Sequence, residues 1–280
     1  MTTWSRSIGI DVPIVNAPMG GAAGGRLAAA VSAAGGLGMI GMGSSATAER
    51  LTAELALTGG LRVGIGLVHW VVQDRPDLFE VALAAAPQLL SVSFGDDWAW
   101  VARAHDAGLT VTTQVATVGA ARRAVDAGVD VLVARGAEGG GHGEPAVGTL
   151  PLVAAVLDAV DVPVLAAGGV SSPRAVAAVL AAGAAGAWVG TAFAACTEAL
   201  TPAPARRELM AAEGDATELT SKYDVAAGYR WPPGLPERVL RGSPVNAGQG
   251  VDAVHGEHTA ATVVAALRDG AAELLGRWNH

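Results

Sequence analysis

Eight short apolar runs recur along the chain, at residues 14–17, 38–41, 62–67, 89–94, 110–115, 130–134, 163–166 and 187–190. Their starts lie 24, 24, 27, 21, 20, 33 and 24 residues apart. Short, bounded apolar runs of this kind are the pattern of strands buried on both faces. Each gap has room for a loop and one helix, and helix signals fall inside the gaps. Ser172 is an N-cap, Pro173 occupies the first helical position, Val176, Val179 and Leu180 share a face, and Gly183 closes the helix. Thr117 caps a second helix, in which Ala121 and Val125 share a face before Gly128. Asp74 with Pro76 opens a third that carries Phe79 and Leu83. An Ala-Gly pair followed by an apolar run recurs at Gly35, Gly108, Gly128 and Gly183.

Strands alternating with helices predict a parallel sheet with helices outside it. Eight even units fit an α/β fold of the (β/α)8 TIM-barrel type, typically about 250 residues, better than a doubly wound sheet. The regularity stops after Cys196. Residues 200–250 are rich in Pro, Gly and charge and accommodate no βα unit. They are expected to form an irregular insertion after strand eight, a lid segment over the barrel mouth. A last helix near 257–275, with Thr262, Leu267 and Leu274 on one face, would complete the eighth unit. One barrel domain over residues 1–280 is the expected organisation.

Composition narrows the partners. With 51% hydrophobic and 16% charged residues, the chain has ample apolar surface to order itself. The net charge is −8 and Lys222 is the only lysine, which argues against nucleic acid or an anionic membrane as partner. A single cysteine, Cys196, excludes a disulfide framework and a cysteine-rich metal site, and no metal is expected. A reducing, cytoplasmic setting fits. Residues 175–197 carry no charge over 23 positions, long enough to span a bilayer, but Gly183, Gly186 and Gly190 interrupt them and they parse as helix, turn and strand. The opening residues lack the long apolar core of a signal peptide.

In barrels of this kind active sites form at the C-terminal ends of the strands. That rule selects residues 17–21 after strand one, Val68, His69 and Trp70 after strand three, Gln114, residues 135–144 after strand six, Gly168 and Gly169, and Gly190 and Thr191. The last two pairs form the usual phosphate position of the architecture. Backbone N–H groups approach an anion closely only where side chains are absent. No GxxxxGK[ST] occurs, and the glycines at 20–25 lack the acidic residue that a dinucleotide site requires. His142 follows Gly139, Gly140 and Gly141 in the longest gap. Imidazole titrates near neutral pH, so a histidine in that loop is a candidate general base. Glu138 and Glu144 flank it and either orient it or only solvate the loop. His69 and Trp70 either line a pocket or pack. Cys196, in an apolar run, is expected to be inert.

Taken together, these motifs resemble the nitronate monooxygenase family. The matching pieces are residues 16–21 (NAPMGG), 29–38 (AAVSAAGGLG), 112–118 (TTQVATV), 136–143 (GAEGGGHG), 166–170 (AAGGV), 186–193 (GAWVGTAF) and the WPPG at 231. They run in order over most of the chain, and the histidine loop is the most specific. The resemblance implies an FMN-dependent enzyme that oxidises alkyl nitronates, and by extension nitroalkanes, with O2. It implies FMN resting on Ala17, Pro18 and Met19, with Gln114 near the ring and the phosphate at Gly168, Gly169, Gly190 and Thr191. Gly66, Arg135, Gly140 and Gly141 are implied along the same cofactor. His142 becomes the base for neutral nitroalkanes; a nitronate has already lost that proton. The chain departs from the family pattern at Arg135, where Gln is usual, at Gly139, where Ala is usual, and at Gly66, where Asn is common. The implied partners are a small-molecule substrate and O2; the oligomeric state is left open, a homo-oligomer included. Flavin-dependent enoyl-acyl-carrier-protein reductases share the pattern, but they would need NADH and a basic docking surface, which the acidic charge disfavours. The same motifs are compatible with an NAD(P)H:quinone reductase-like enzyme and with a flavin-binding protein without turnover.

Overall fold

The computed structural model describes residues 1–277. Its strands, in chain order, begin with β1 (Ile14–Asn16), β2 (Met39–Met42), β3 (Gly64–Val68), β4 (Leu90–Ser93), β5 (Val111–Val115) and β6 (Val131–Arg135). A two-residue β7 (Gly141–His142) precedes β8 (Val164–Ala167) and β9 (Gly186–Val189). All but β7 form one parallel sheet in the order β1-β9-β8-β6-β5-β4-β3-β2. The eight sequence runs match these eight strands to within two residues at each end. The ring closes at β1 and β2 through a single bridge, Val15 to Leu37. Where that backbone ladder lapses, the buried Asn16 side chain substitutes for it. Its Oδ1 accepts from Met39 N at 2.8 Å and its Nδ2 donates to Met39 O at 2.9 Å. The eight-unit barrel expected from the sequence is the observed fold.

The helix starts follow local chemistry. Thr117 and Ser172 cap as expected, accepting from Ala120 N and Ala175 N. Asp74 does not open a helix; it ends one, His69–Asp74, and Pro76 begins the next. Pro disfavours helical geometry in the residue before it, and Arg75 accordingly leaves it, at φ −135° and ψ 74°, breaking the run in two. The last helix is Ala260–Gly276. Its buried stripe is Ala260, Val264, Leu267 and Ala271, and not one through Thr262, which stays exposed and bonds the capping Thr259. The uncharged stretch 175–197 divides into parts of helix Pro173–Ala181, β9 and helix Thr191–Ala194. Among the described residues, no helix is long and apolar enough to cross a membrane.

Side chains alternate across each strand, and here the alternation makes the cavity. Outward residues such as Ile65, Leu67, Leu90, Val92, Leu132 and Ala134 pack under the helices. Low in the barrel, the inward residues are large: Val15, Met39, Leu89, Val131, Val133, Leu165 and Trp188, plugged from below by Trp4. One or two steps up each strand the inward positions become Ala17, Gly41, Gly66, Ser93, Gln114, Ala167 and Gly190, and space opens. The exceptions are Gln114 and Arg135, whose long side chains reach into that layer.

Residues 200–250, expected to lack regular structure, hold a helix (Ala203–Ala211), β10 (Thr217–Thr220), a helix (Lys222–Ala227) and β11 (Glu237–Leu240). β11 pairs antiparallel with β10 and also with β7, so the excursion forms a small sheet with the histidine loop. Antiparallel strands of four residues within a Pro- and Gly-rich stretch carry little periodic signal, and β7 is two residues long. The partner that orders them lies far away in sequence.

Candidate active site

The C-terminal ends of the barrel strands enclose a cavity of about 640 Å³. Every residue singled out for cofactor contact lines it: Ala17, Pro18, Met19 and Gly66 on one side, Gln114 and Arg135 on another, and Gly140, Gly141, Gly168, Gly169, Gly190 and Thr191 around the remainder. Gly66 has a different steric role from the others. A Cβ there would lie 2.3 Å from the Pro18 ring, so the missing side chain admits Pro18 to the wall. The two phosphate-type loops differ from each other as well. Gly168 and Gly169 have φ of +108° and +66°, whereas Gly190 is at −100°, with Met19 Sδ at 3.6 Å the nearest atom to a Cβ. Among the described residues, the N–H groups of Gly169, Gly190 and Thr191 donate to no protein acceptor. The Thr191 hydroxyl accepts from Gly248 N at 3.0 Å, which leaves its own proton free to donate.

His142 stands at the rim of this cavity, held from three directions by the excursion. Its Nε2 lies 2.8 Å from Asp224 Oδ2. Its ring stacks on Trp231, with centroids 3.5 Å apart and planes within 5°. Glu237 is its cross-strand partner in the β7–β11 ladder. Trp231 is itself fixed: Nε1 donates to Ser44 Oγ at 2.9 Å, Phe94 and Trp70 meet it edge-on, and the adjacent Arg230 pairs with Asp74. Burial holds the His142 pKa below its ordinary value. The Asp224 hydrogen bond and charge oppose that shift, and the nearby Arg135 cation reinforces it. Glu237 is pushed up to about 7, first by burial and then by the charge of Asp224. Its Oε1 is buried without a hydrogen-bond partner.

His142, Asp224 and Glu237 each present a ligand atom within 4.8 Å of the others, a grouping of a kind that can hold a metal ion. The 2.8 Å contact is a direct hydrogen bond between His142 and Asp224, and the Glu237 carboxyl lies beside that pair without bonding to it.

The glycine loop is set by two arginines. Arg135 Nη2 donates to the carbonyls of Gly139, Gly140 and Gly141 at 2.8, 3.2 and 3.1 Å, and Arg238 donates to Ala137 O. A Cβ on Gly139 would lie 2.9 Å from Arg135 Cζ. The two departures from the family pattern in this loop are therefore one steric unit: the arginine fits because residue 139 has no side chain. Burial lowers the Arg135 pKa to about 10, which leaves it a cation at neutral pH.

Of the loop carboxylates, Glu138 does not touch His142. It accepts from Thr149 N and Oγ1 and so ties the loop to the next helix. Glu144 is exposed. His69 packs beneath Gly95 and does not line the main cavity, while Trp70 supports Trp231. Cys196 is buried, and its thiol is pushed up to about 12, chiefly by burial, which makes it inert. Sequence reasoning missed Asp224, Trp231 as a stacking partner, and Glu237. Asp224 is 82 residues from His142, and no local pattern joins them.

A family model described as nitronate monooxygenase matches residues 2–61 and 71–272. A (3aS,4S,5R,7aS)-5-hydroxy-7a-methyl-1-oxo-octahydro-1H-indene-4-carboxyl-CoA dehydrogenase of Rhodococcus jostii (strain RHA1) is 32% identical over 251 residues. The match covers 88% of this chain and 67% of that relative, so the chain spans about two thirds of its length. A nitronate monooxygenase of Pseudomonas aeruginosa is 31% identical, with 85% of this chain and 80% of the relative covered. Among solved structures, a nitroalkane oxidase from Streptomyces ansochromogenes superimposes with a TM-score of 0.84 at 28% identity, over 98% of this chain and 100% of that one.

Proposed function

This chain belongs to the nitronate monooxygenase family, and from that premise we propose that it is an FMN-dependent oxidoreductase. It oxidises alkyl nitronates with O2 and takes neutral nitroalkanes after deprotonation by His142. The observation that carries this reading is one cavity that joins His142 to two glycine loops with undirected N–H groups.

The residues present fit the cofactor. The N–H groups of Gly169, Gly190 and Thr191 and the Thr191 hydroxyl would hold its phosphate, and a Cβ on Gly190 would point into the same cavity, toward Met19 and Ala17. Ala17, Pro18 and Met19 would support the ring, with Gln114 and the Arg135 cation beside it. Bound FMN supplies a two-electron acceptor that O2 reoxidises. The chain's own residues do the remainder. Small inward side chains leave room for a ring system, Trp231 and Phe94 wall the mouth against water, and His142 accepts the carbon-bound proton of a neutral substrate. Burial keeps that imidazole unprotonated at neutral pH, the state a base needs. A small-molecule substrate, O2 and a cytoplasmic setting belong to the same reading.

The relative named a CoA dehydrogenase favours a second reading, a flavin-dependent dehydrogenase or reductase that exchanges electrons with a nicotinamide. One experiment separates the two. The purified flavoprotein is mixed anaerobically with propionate 3-nitronate and, separately, with NADH or NADPH, while flavin absorbance is followed. Bleaching by the nitronate alone is expected. Bleaching by a nicotinamide alone would replace the proposal with the second reading.

A further inference from the structure

We infer that Asp224 is a positioning residue that fixes the proton of His142 on Nε2, so that Nδ1 is the atom which takes the substrate proton. This rests on the base role proposed above and adds the atom and the partner to it.

A neutral imidazole carries one N–H, and its other nitrogen presents a lone pair. Asp224 Oδ2 stands 2.8 Å from Nε2. A lone pair on Nε2 would face the carboxylate across that gap, whereas an N–H there makes a charge-assisted hydrogen bond. The proton therefore sits on Nε2 and the lone pair on Nδ1, which has no hydrogen-bond partner among the described residues. Ring reorientation is blocked by Trp231, stacked 3.5 Å away. Asp224 is equally well placed. It is 7% exposed, and its helix ends in Gly228 at φ +73°, where Gly228 N and Tyr229 N both donate to Asp224 O.

The groups that face the imidazole come from three elements: Arg135 from β6, Asp224 from the helix Lys222–Ala227 and Glu237 from β11. Arg135 and burial disfavour the imidazolium. Of the facing groups, only Asp224 is shown to favour it, by a hydrogen bond and by charge. In the step itself, the substrate C–H bond breaks, an N–H bond forms at Nδ1, and the released electron pair moves onto the nitro oxygens. Asp224 Oδ2 holds the resulting imidazolium through the same Nε2–H bond. The excursion is thereby part of the acid–base machinery: it supplies the partner that the glycine loop itself lacks.

The test uses the flavin-loaded enzyme. Selective ¹⁵N-histidine NMR, with His142 assigned by its Gln variant, is expected to show the Nε2–H form in the wild type and loss of that preference in Asp224→Asn. An Nδ1–H form in the wild type would overturn the assignment, and this readout needs no substrate. With nitroethane, Asp224→Asn is expected to lose about 10²-fold or more in kcat/KM, within the usual range for general-base catalysis. With ethyl nitronate it should lose little. The acid limb of its nitroethane pH profile should move to lower pH, because the carboxylate that favours imidazolium is gone. Asp224→Glu should recover part of the rate. Equal losses on both substrates, or an unmoved pH limb, would reduce Asp224 to a structural contact. If the wild type fails to turn over nitroethane, the base reading falls, while the NMR still decides the tautomer.

Discussion

Glu237 is 5% exposed, lies beside a second carboxyl, and has an oxygen that no donor reaches. Its pKa rises from the ordinary 4.5 to about 7. Between those values the folded chain holds the proton more tightly than the unfolded chain does. Stability therefore falls as pH rises from about 4.5 to 7, by up to about 3 kcal/mol. Glu237→Gln keeps the shape and cannot ionise, so its urea midpoint should fall less between pH 5 and pH 8 than that of the wild type. An unchanged pH slope would show that Glu237 ionises freely. At His142 the matching experiment divides two activities. His142→Ala should lose about 10²–10⁴-fold on nitroalkanes, the range of general-base catalysis, and keep most nitronate turnover and its flavin. If both activities fall together along with flavin content, the histidine only shapes the loop. His142 itself was legible in the sequence, because a histidine after three glycines at a strand end stands out. Asp224 and Glu237 were not, since an Asp within a polar segment and a Glu before an arginine look like ordinary surface residues.

Two loops of the barrel separate folding from binding. Gly168 has φ +108°, and a Cβ there would sit 2.6 Å from Thr149 Oγ1, so Gly168→Ala strains both backbone and neighbour and should lower the melting temperature. Gly190 has neither constraint, and a side chain there faces the cavity. Gly190→Glu is therefore expected to fold with a near-native melting temperature but to purify with little flavin, because its carboxylate blocks and repels the phosphate. Charge-assisted hydrogen bonds contribute roughly 1.5–3 kcal/mol each, so losing two would lower occupancy strongly. Full flavin content in Gly190→Glu, measured by absorbance per chain, would make the loop a plain turn. The capped helices were legible because Ser172 and Thr117 act on N–H groups three residues away. The strands β10 and β11 were not, because what orders them is the distant β7.

At the scale of the molecule, the barrel and the excursion are joined across the cavity mouth. Trp231 reaches Ser44, Arg238 reaches Ala137, and Gly248 reaches Thr191. A ligand seated among these groups should stabilise the whole fold, since it binds the folded chain alone. At a hundredfold excess of free FMN over its dissociation constant the gain is about 2.7 kcal/mol, several degrees in melting temperature for a chain of this size. Thermal melts of flavin-stripped and reloaded protein measure this directly. No shift on adding FMN would mean that the cavity does not take it.

The sequence by itself determined the barrel, its strand positions and the loops that form the cavity. These follow from short-range chemistry: short apolar runs that make strands buried on both faces, caps that act within one helical turn, and glycines wherever chains turn or approach closely. It also marked His142 and the glycine loops, because chemistry at strand ends is a consequence of the architecture. Only the tertiary structure decided what surrounds His142. Asp224, Trp231 and Glu237 reach His142 because an excursion of weak periodicity pairs with a two-residue strand far away in sequence. The tertiary structure also decided that Arg135 and Gly139 form one steric unit, since the guanidinium occupies the space where a Cβ would stand. Contacts of that kind depend on where distant segments come to rest, and no short-range pattern along the chain encodes them.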